Sequence, residues 1–296
     1  MTAVESHPDV DALEARLDAA LRRGDAAGLD ILGYGEISSV LRWSVDGALV
    51  ACKRLPLFDR AARVDAYAAC FGDYLAALTA AGVDVLPSRL YQVDRDDGTI
   101  AVHCVQPMLA PGQLATDVMR AADRAGQRDL ATVIVDRILA TVGPRLGLDG
   151  QLSNWAMVDG GLRYLDVTTP MLRDDDGRDR LDADLFLASL PWALRGLTHR
   201  FLLRDLLAKY YQPRAVVLDL LGNLHKERLS AELPALTAVV GARVTPPLER
   251  AEIDRYYRGD ARTWGLLQRL RRFDRAWQRK VRRRPYPFLL PGRIER

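Results

Sequence analysis

The sequence is poor in the residues that staple small secreted or metal-bound folds: 296 residues hold three cysteines and four histidines. Cys52, Cys70 and Cys104 stand apart in apolar runs, without the short paired spacings of a zinc site or the even count of a disulfide framework. Free, buried thiols are expected. No run of 18 or more apolar residues is free of charge, and the opening MTAVESHPDV lacks the basic segment and apolar stretch of a secretory leader. A cytoplasmic chain without a transmembrane segment is therefore expected. Also lacking are a Gly-Lys-Ser/Thr phosphate loop and a glycine fingerprint opening a helix, as well as internal repeats and low-complexity linkers.

What is present is ordinary for a globular chain: 49% hydrophobic and 27% charged residues, enough for a sizeable core. The net charge of +3 is unevenly spread. Residues 262–296 carry 12 Lys/Arg against Asp274 and Glu295, a local +10, which leaves −7 on residues 1–261.

Residues 9–23 have a helical period, with Val10, Leu13, Leu17 and Leu21 on one stripe and Gly24 as the stop. Strands are expected at 31–34, 39–45 and 48–55, the last two joined by Asp46-Gly47, a dipeptide suited to a tight hairpin. A long helix over 60–81 follows, then strands at 89–93 and 99–105. Pro107, Pro111 and Gly112 interrupt regular structure, and almost everything beyond reads as helix: 114–125, 129–146, 182–209, 213–229, 231–240 and 249–284. One small hairpin, 155–158 and 162–165 around Asp159-Gly160-Gly161, sits among these helices. The composition shift sets a domain boundary at residues 106/107.

Four local signals could carry chemistry. The stretch from Gly33 through Gly35 to Ser38 lies between two strands, where glycines let backbone approach phosphate oxygens; a plain turn explains it as well. In Val50-Ala51-Cys52-Lys53, strand alternation puts Ala51 and Lys53 on one face, and a lysine in an apolar strand needs a partner. Bound phosphate, a carboxylate such as Asp73 on the long helix, or solvent at a sheet edge would each serve. Asp149 and Asn154 stand five residues apart in a loop, and Asp166 ends the second strand of the small hairpin. Carboxylate and amide oxygens are hard ligands of the kind magnesium takes, while turn, loop and strand-end roles remain open for each.

The order of these features resembles the protein kinase-like superfamily: glycine loop between strands, Val-Ala-x-Lys, a long helix, two strands, a proline-bearing hinge, two helices, Asp-x4-Asn, a hairpin, then Asp. It is nearest to the aminoglycoside phosphotransferase and choline kinase-like small-molecule kinases, since nothing after Asp166 resembles an activation segment ending in Ala-Pro-Glu. The resemblance spans roughly residues 30–170. It implies an α+β, two-lobed fold: an N-lobe (1–106) with a five-stranded antiparallel sheet and one long helix, and a larger, mainly helical C-lobe (107–296). It further implies ATP held by Gly33, Gly35, Ser38, Ala51 and Lys53, with Asp73 pairing Lys53 and the hinge at Gln106 and Met108 meeting adenine. Asn154 and Asp166 would hold Mg2+, and Asp149 would be the catalytic base for a small-molecule hydroxyl. The family usually has His where this chain has Gly147, Glu where it has Asp73, Lys where it has Gln151, and Gly where it has Thr168. A nucleotide-binding pseudokinase is the alternative those departures imply.

The basic C-terminal stretch supports a third reading. Leu266, Leu267, Leu270, Phe273, Ala276, Trp277 and Val281 recur at three- and four-residue steps among arginines. An amphipathic helix with a solvated arginine face is one outcome. An anionic partner, whether nucleic acid, acidic lipid headgroups or a phosphorylated substrate, is the other. The apolar Tyr286-Pro287-Phe288-Leu289-Leu290-Pro291 is expected to dock back on the body.

Overall fold

The computed structural model describes residues 4–34, 39–182, 184–185, 207–283 and 286. Helix α1 (Pro8–Arg23) starts where His7 Nδ1 accepts the Asp9 N–H, with Pro8 in the first turn, where a missing donor does no harm. It ends at Gly24, whose left-handed φ of 81° lets its N–H return to the Ala20 carbonyl. Strands β1 (Ile31–Tyr34), β2 (Ser39–Val45), β3 (Ala48–Arg54), β4 (Arg89–Asp94) and β5 (Ile100–Pro107) form one antiparallel sheet in the order β1-β2-β3-β5-β4. Asp46 (φ 51°) and Gly47 (φ 76°) make the expected two-residue turn between β2 and β3.

Pleating gives this sheet two different faces. On one, Leu41, Cys52, Tyr91 and Val105 meet Val10, Leu13, Leu17 and Leu21 of α1. On the other, Leu90, Val102 and Cys104 pack on Phe71, Tyr74 and Leu78 of helix α2 (Ala61–Ala80). The core continues without a break from α2 into the later helices. All three cysteines are free and buried, and burial pushes the thiols up, Cys52 and Cys104 to about 12 and Cys70 to about 11.

One polar cluster sits between α1 and the sheet. Glu14, on the apolar stripe of α1, accepts from Arg54 Nη2 at 2.8 Å, from Arg95 Nη1, and faces His103 Nε2 at 3.0 Å. Glu14 and His103 are buried, and Arg95 also reaches Asp18 at 2.7 Å. Burial alone would raise the Glu14 pKa, but His103, Arg54 and Arg95 outweigh it and hold it below the usual carboxylate value. His103 is pushed down by burial, and its Nδ1 has no hydrogen-bond partner. The network therefore assigns a neutral ring that donates through Nε2.

Beyond β5 come α3 (Ala115–Ala121), α4 (Arg124–Thr141), a 3-10 turn at Leu152–Asn154, the hairpin β6 (Trp155–Val158) and β7 (Gly161–Tyr164), a 3-10 turn at Lys209–Tyr211, then α5 (Pro213–Lys226), α6 (Leu233–Val240) and α7 (Arg250–Lys280). Several expected helix boundaries move, most of all around residues 121–146. The helix expected over 114–125 stops at Ala121, because the Asp123 carboxylate accepts the Gly126 N–H and starts α4 there. That helix ends at Thr141 instead of reaching 146, since Gly143 precedes Pro144, which disfavours the helical conformation. The expected helix over 182–209 falls mostly outside the described residues, as does 287–291; Tyr286 itself is buried.

Helix α7 is fixed along its first half to α5. Arg214 clamps Glu252 at 2.8 and 2.7 Å, His225 Nε2 lies 3.0 Å from Asp254, and a Cβ at Gly222 would sit 2.8 Å from the Tyr256 ring. Among the described residues, no helix is long and apolar enough to cross a membrane. The chain is α+β, with a five-stranded antiparallel sheet and several helices.

Candidate active site

In register with Cys104 on β5, Lys53 points from β3 to the face of the sheet opposite α1. Its Nζ donates to Asp166 Oδ1 at 2.7 Å, with both side chains about three-quarters covered. Asp166 follows the β6–β7 hairpin and is held from several sides. Thr168 Oγ1 donates to its Oδ1 at 3.2 Å, Tyr67 OH on α2 donates to the Thr168 carbonyl at 2.9 Å, and Gln106 Nε2 on β5 donates to the Leu165 carbonyl at 2.9 Å. Burial alone would raise the Asp166 pKa; the charge and hydrogen bond of Lys53, aided by Thr168, outweigh it and keep it lowered.

The loop 147–154 approaches the same place. The Leu165 N–H donates to the Asn154 carbonyl at 2.9 Å, which joins the loop to the segment carrying Asp166. Asn154 Nδ2 donates to the Asp149 carbonyl at 3.2 Å, leaving its amide oxygen as the atom suited to a cation. Asp149 is buried, and Gln151 caps both its oxygens, the backbone N–H on Oδ1 and Nε2 on Oδ2, each at 3.1 Å. Burial, then the like charges of Asp219 and Asp166, push its carboxyl up to about 8.

Gly147 and Tyr74 fix where the loop starts. Tyr74 OH donates to the Gly147 carbonyl at 3.0 Å, and a Cβ on Gly147 would stand 2.8 Å from the Tyr210 carbonyl oxygen and 3.2 Å from Met171 Cβ. No side chain fits there without moving backbone. Gly147→Ala is expected to lower stability by about 1–3 kcal/mol, read as a shift in the urea midpoint, through overpacking alone. An unchanged midpoint would show that this contact can relax freely.

The expected site residues fall into four groups. Lys53, Asn154, Asp166 and Asp149 converge as described. Ala51 shares the Lys53 face and pairs with Gln106 across β3 and β5; Met108, just past β5, is half-buried, and Gly33 lies in β1 with open space at its Cβ position. Gly35 and Ser38 lie outside the described residues. Asp73 is the correction: its Oδ2 accepts from Arg180 Nη2 at 2.6 Å, and the partner of Lys53 is Asp166. The reason is helical geometry, since Phe71 and Tyr74 face the core and Asp73, about 100° round from Tyr74, is turned to the surface with its carboxylate 58% exposed.

A second polar group lies behind the loop. Asp219 on α5, 1% exposed, accepts from Lys209 Nζ at 3.1 Å and from Tyr256 OH on α7, and its other oxygen lies 3.4 Å from Gln151 Nε2. Lys226 Nζ donates to Gln151 Oε1 at 3.3 Å. The sequence does carry one signal for this group: Asp219 and Asn223 interrupt the apolar face of α5 one turn apart. Lys209 and Tyr256 have no comparable local mark.

Asp166 and Asn154, on segments tied by the Leu165–Asn154 backbone hydrogen bond, offer a carboxylate and an amide oxygen, a donor set that fits magnesium, and Lys53 adds a cation suited to phosphate. Among the solved structures, "WaaP in complex with acyl carrier protein" is similar at 16% identity over 77% of this chain and 97% of that chain, with a TM-score of 0.35. A likeness so slight carries no weight for fold or activity. None of the curated proteins matches. A family profile described as "Family of unknown function (DUF6206)" matches residues 12–275, nearly the whole chain, and the chain belongs to that family.

Proposed function

We propose that this chain is an ATP- and magnesium-dependent phosphotransferase acting on a hydroxyl of a small molecule. The proposal includes a kinase-like division into an N-lobe of residues 1–106 and a C-lobe of 107–296. It rests on one observation: Lys53 from the sheet meets Asp166, and Asn154 joins the same segment by a backbone hydrogen bond. The Lys53 ammonium binds triphosphate oxygens, exchanging its contact with Asp166 for them. Asp166 and the Asn154 amide oxygen hold magnesium, which when bound neutralises charge on the phosphates. The β5 end around Gln106 and Met108 would meet the adenine.

In the transfer, the substrate hydroxyl oxygen forms a bond to the γ-phosphorus, the bridging bond to the β-phosphate breaks, and ADP leaves. The hydroxyl proton passes to Asp149 in its ionised form, so with the carboxyl raised to about 8 the transfer is expected to speed up as pH rises toward that value. Positioning and charge supply most of the catalysis of such a reaction. The test is incubation with MgATP and a broad panel of hydroxylated metabolites, read by mass spectrometry. A new phosphorylated product, reduced at least about 100-fold in Asp149→Asn, is the expected result.

One observation favours a second reading, a nucleotide-binding pseudokinase with a regulatory or scaffolding role. Both Asp149 oxygens are already capped by Gln151 in a buried loop, so a substrate hydroxyl must displace a hydrogen bond to reach them. MgATP binding without product or hydrolysis over the whole panel selects this reading and overturns the first.

A further inference from the structure

Helix α7 extends well past the part that α5 holds. Its inward side is marked by buried Ile253, Arg271 and Asp274, and its far end is tied to the end of α1, where Arg279 Nη2 donates to the Arg23 carbonyl at 2.5 Å. The helix is thus anchored at both ends and cannot simply turn its other side inward. Along one edge of that inward side Phe273 and Trp277 are 65% and 40% exposed, and Val281, just past the end of the helix, is 57% exposed. Four-residue steps place them in one row that drifts slowly round the helix.

Exposed Arg269, Arg272 and Lys280, at −4, −1 and +7 from Phe273, flank this row. From Arg262 to Arg283 there are nine basic residues and one acid, Asp274, which is buried. Arginine and lysine beside a ridge of phenylalanine, tryptophan and valine match a surface that is anionic outside and apolar just beneath. We propose that the outer edge of α7 docks the protein on acidic phospholipid headgroups, the apolar row entering the headgroup boundary while the cations meet lipid phosphates. Single-stranded nucleic acid offers phosphates and bases that stack on aromatic rings, but no apolar layer for Val281, and a ridge on a convex helix, in place of a groove that tracks a strand, suits a deformable surface.

The test uses the full chain and vesicles of phosphatidylglycerol with phosphatidylcholine, set against vesicles of phosphatidylcholine alone. Sedimentation with the anionic vesicles only, falling steeply as salt rises, is the expected result. The double variant Phe273→Ser, Trp277→Ser should bind at least about tenfold more weakly at an unchanged melting temperature, both side chains being exposed. Arg269→Gln, Arg272→Gln, Lys280→Gln should weaken binding similarly. Where the double variant melts early, wild type is compared with Trp277→Phe, and a vesicle-induced blue shift of emission must disappear with Trp277. No binding to anionic vesicles overturns the proposal. So does binding that the Phe273 and Trp277 changes leave intact, or single-stranded RNA that binds and is not displaced by vesicles.

Discussion

Glu14→Ala should lower the stability of the folded chain by about 3–5 kcal/mol, the usual effect of removing one member of a buried ion pair. The side chain is 4% exposed and faces three cationic or proton-bearing groups, Arg54, Arg95 and His103. Arg54 is itself 9% exposed, its Nε already lacks a partner, and without Glu14 its charge stays buried beside that of Arg95. Without Arg95, Glu14 still has Arg54 and His103, so Arg95→Ala should cost much less than Glu14→Ala. Urea denaturation read by circular dichroism gives both numbers. A loss below about 1 kcal/mol for Glu14→Ala would mean that water replaces the carboxylate at little cost.

The same cluster sets the response to acid. His103 has its pKa lowered in the fold, so the unfolded chain takes up its proton first, below about 6.5. The contribution of His103 should then fall as pH drops from about 6.5, with a slope of at most about 1.4 kcal/mol per pH unit for one proton. Glu14 acts later in the same direction. Its folded value is lowered, so its contribution is present above the ordinary carboxylate pKa and is lost as pH falls through the folded value. Asp149, its carboxyl raised to about 8 in the fold, gives the opposite slope over the same range, so the readout is the Asp149→Asn chain: a melting temperature flat between pH 7 and pH 5 there would contradict the neutral, buried assignment of His103.

How much of this was legible in the sequence depends on how local each cause is. The Asp46-Gly47 hairpin, the Gly24 stop and the apolar stripe of α1 rest on neighbouring residues, and the fold follows them. The helix break at Asp123 rests on a local cap too, but an apolar period running across it hides the signal. Glu14 falls on the α1 stripe beside Val10, Leu13 and Leu17, so its burial is readable; its partners, 40, 81 and 89 residues away, are not. Lys53 shows the same limit. A lysine in an apolar strand announces its need for an acid, yet the acid is Asp166, 113 residues on, while the nearer Asp73 belongs to Arg180. The group behind the loop, Asp219 with Lys209 and Tyr256, is assembled by the packing of α5 and α7 and has only Asp219 itself as a clue. Gly147 has a cause of the same long-range kind, the main chain of Tyr210 filling its side-chain space.

The second large effect concerns Asp166. In the free chain this carboxylate neutralises Lys53; with ligand it is to exchange that ammonium for magnesium while Lys53 turns to the phosphates. A chain lacking it retains the fold, because its two side-chain contacts, with Lys53 and Thr168, lie at a site that is still about one-quarter open. On the proposed phosphotransferase reading, what it should lose is the grip on the metal-bound nucleotide. Ligand at 100 times its dissociation constant stabilises a fold by about 2.7 kcal/mol, a shift of several degrees for a chain of this size.

The decisive measurement is therefore the ligand-induced change in melting temperature of wild type and Asp166→Ala, with ATP, with magnesium, and with both. Several degrees of stabilisation by ATP and magnesium together in wild type, little by either alone, and none in Asp166→Ala is the result this account predicts. A wild-type chain that ignores MgATP, or an Asp166→Ala chain that responds to it as fully as wild type, would contradict it.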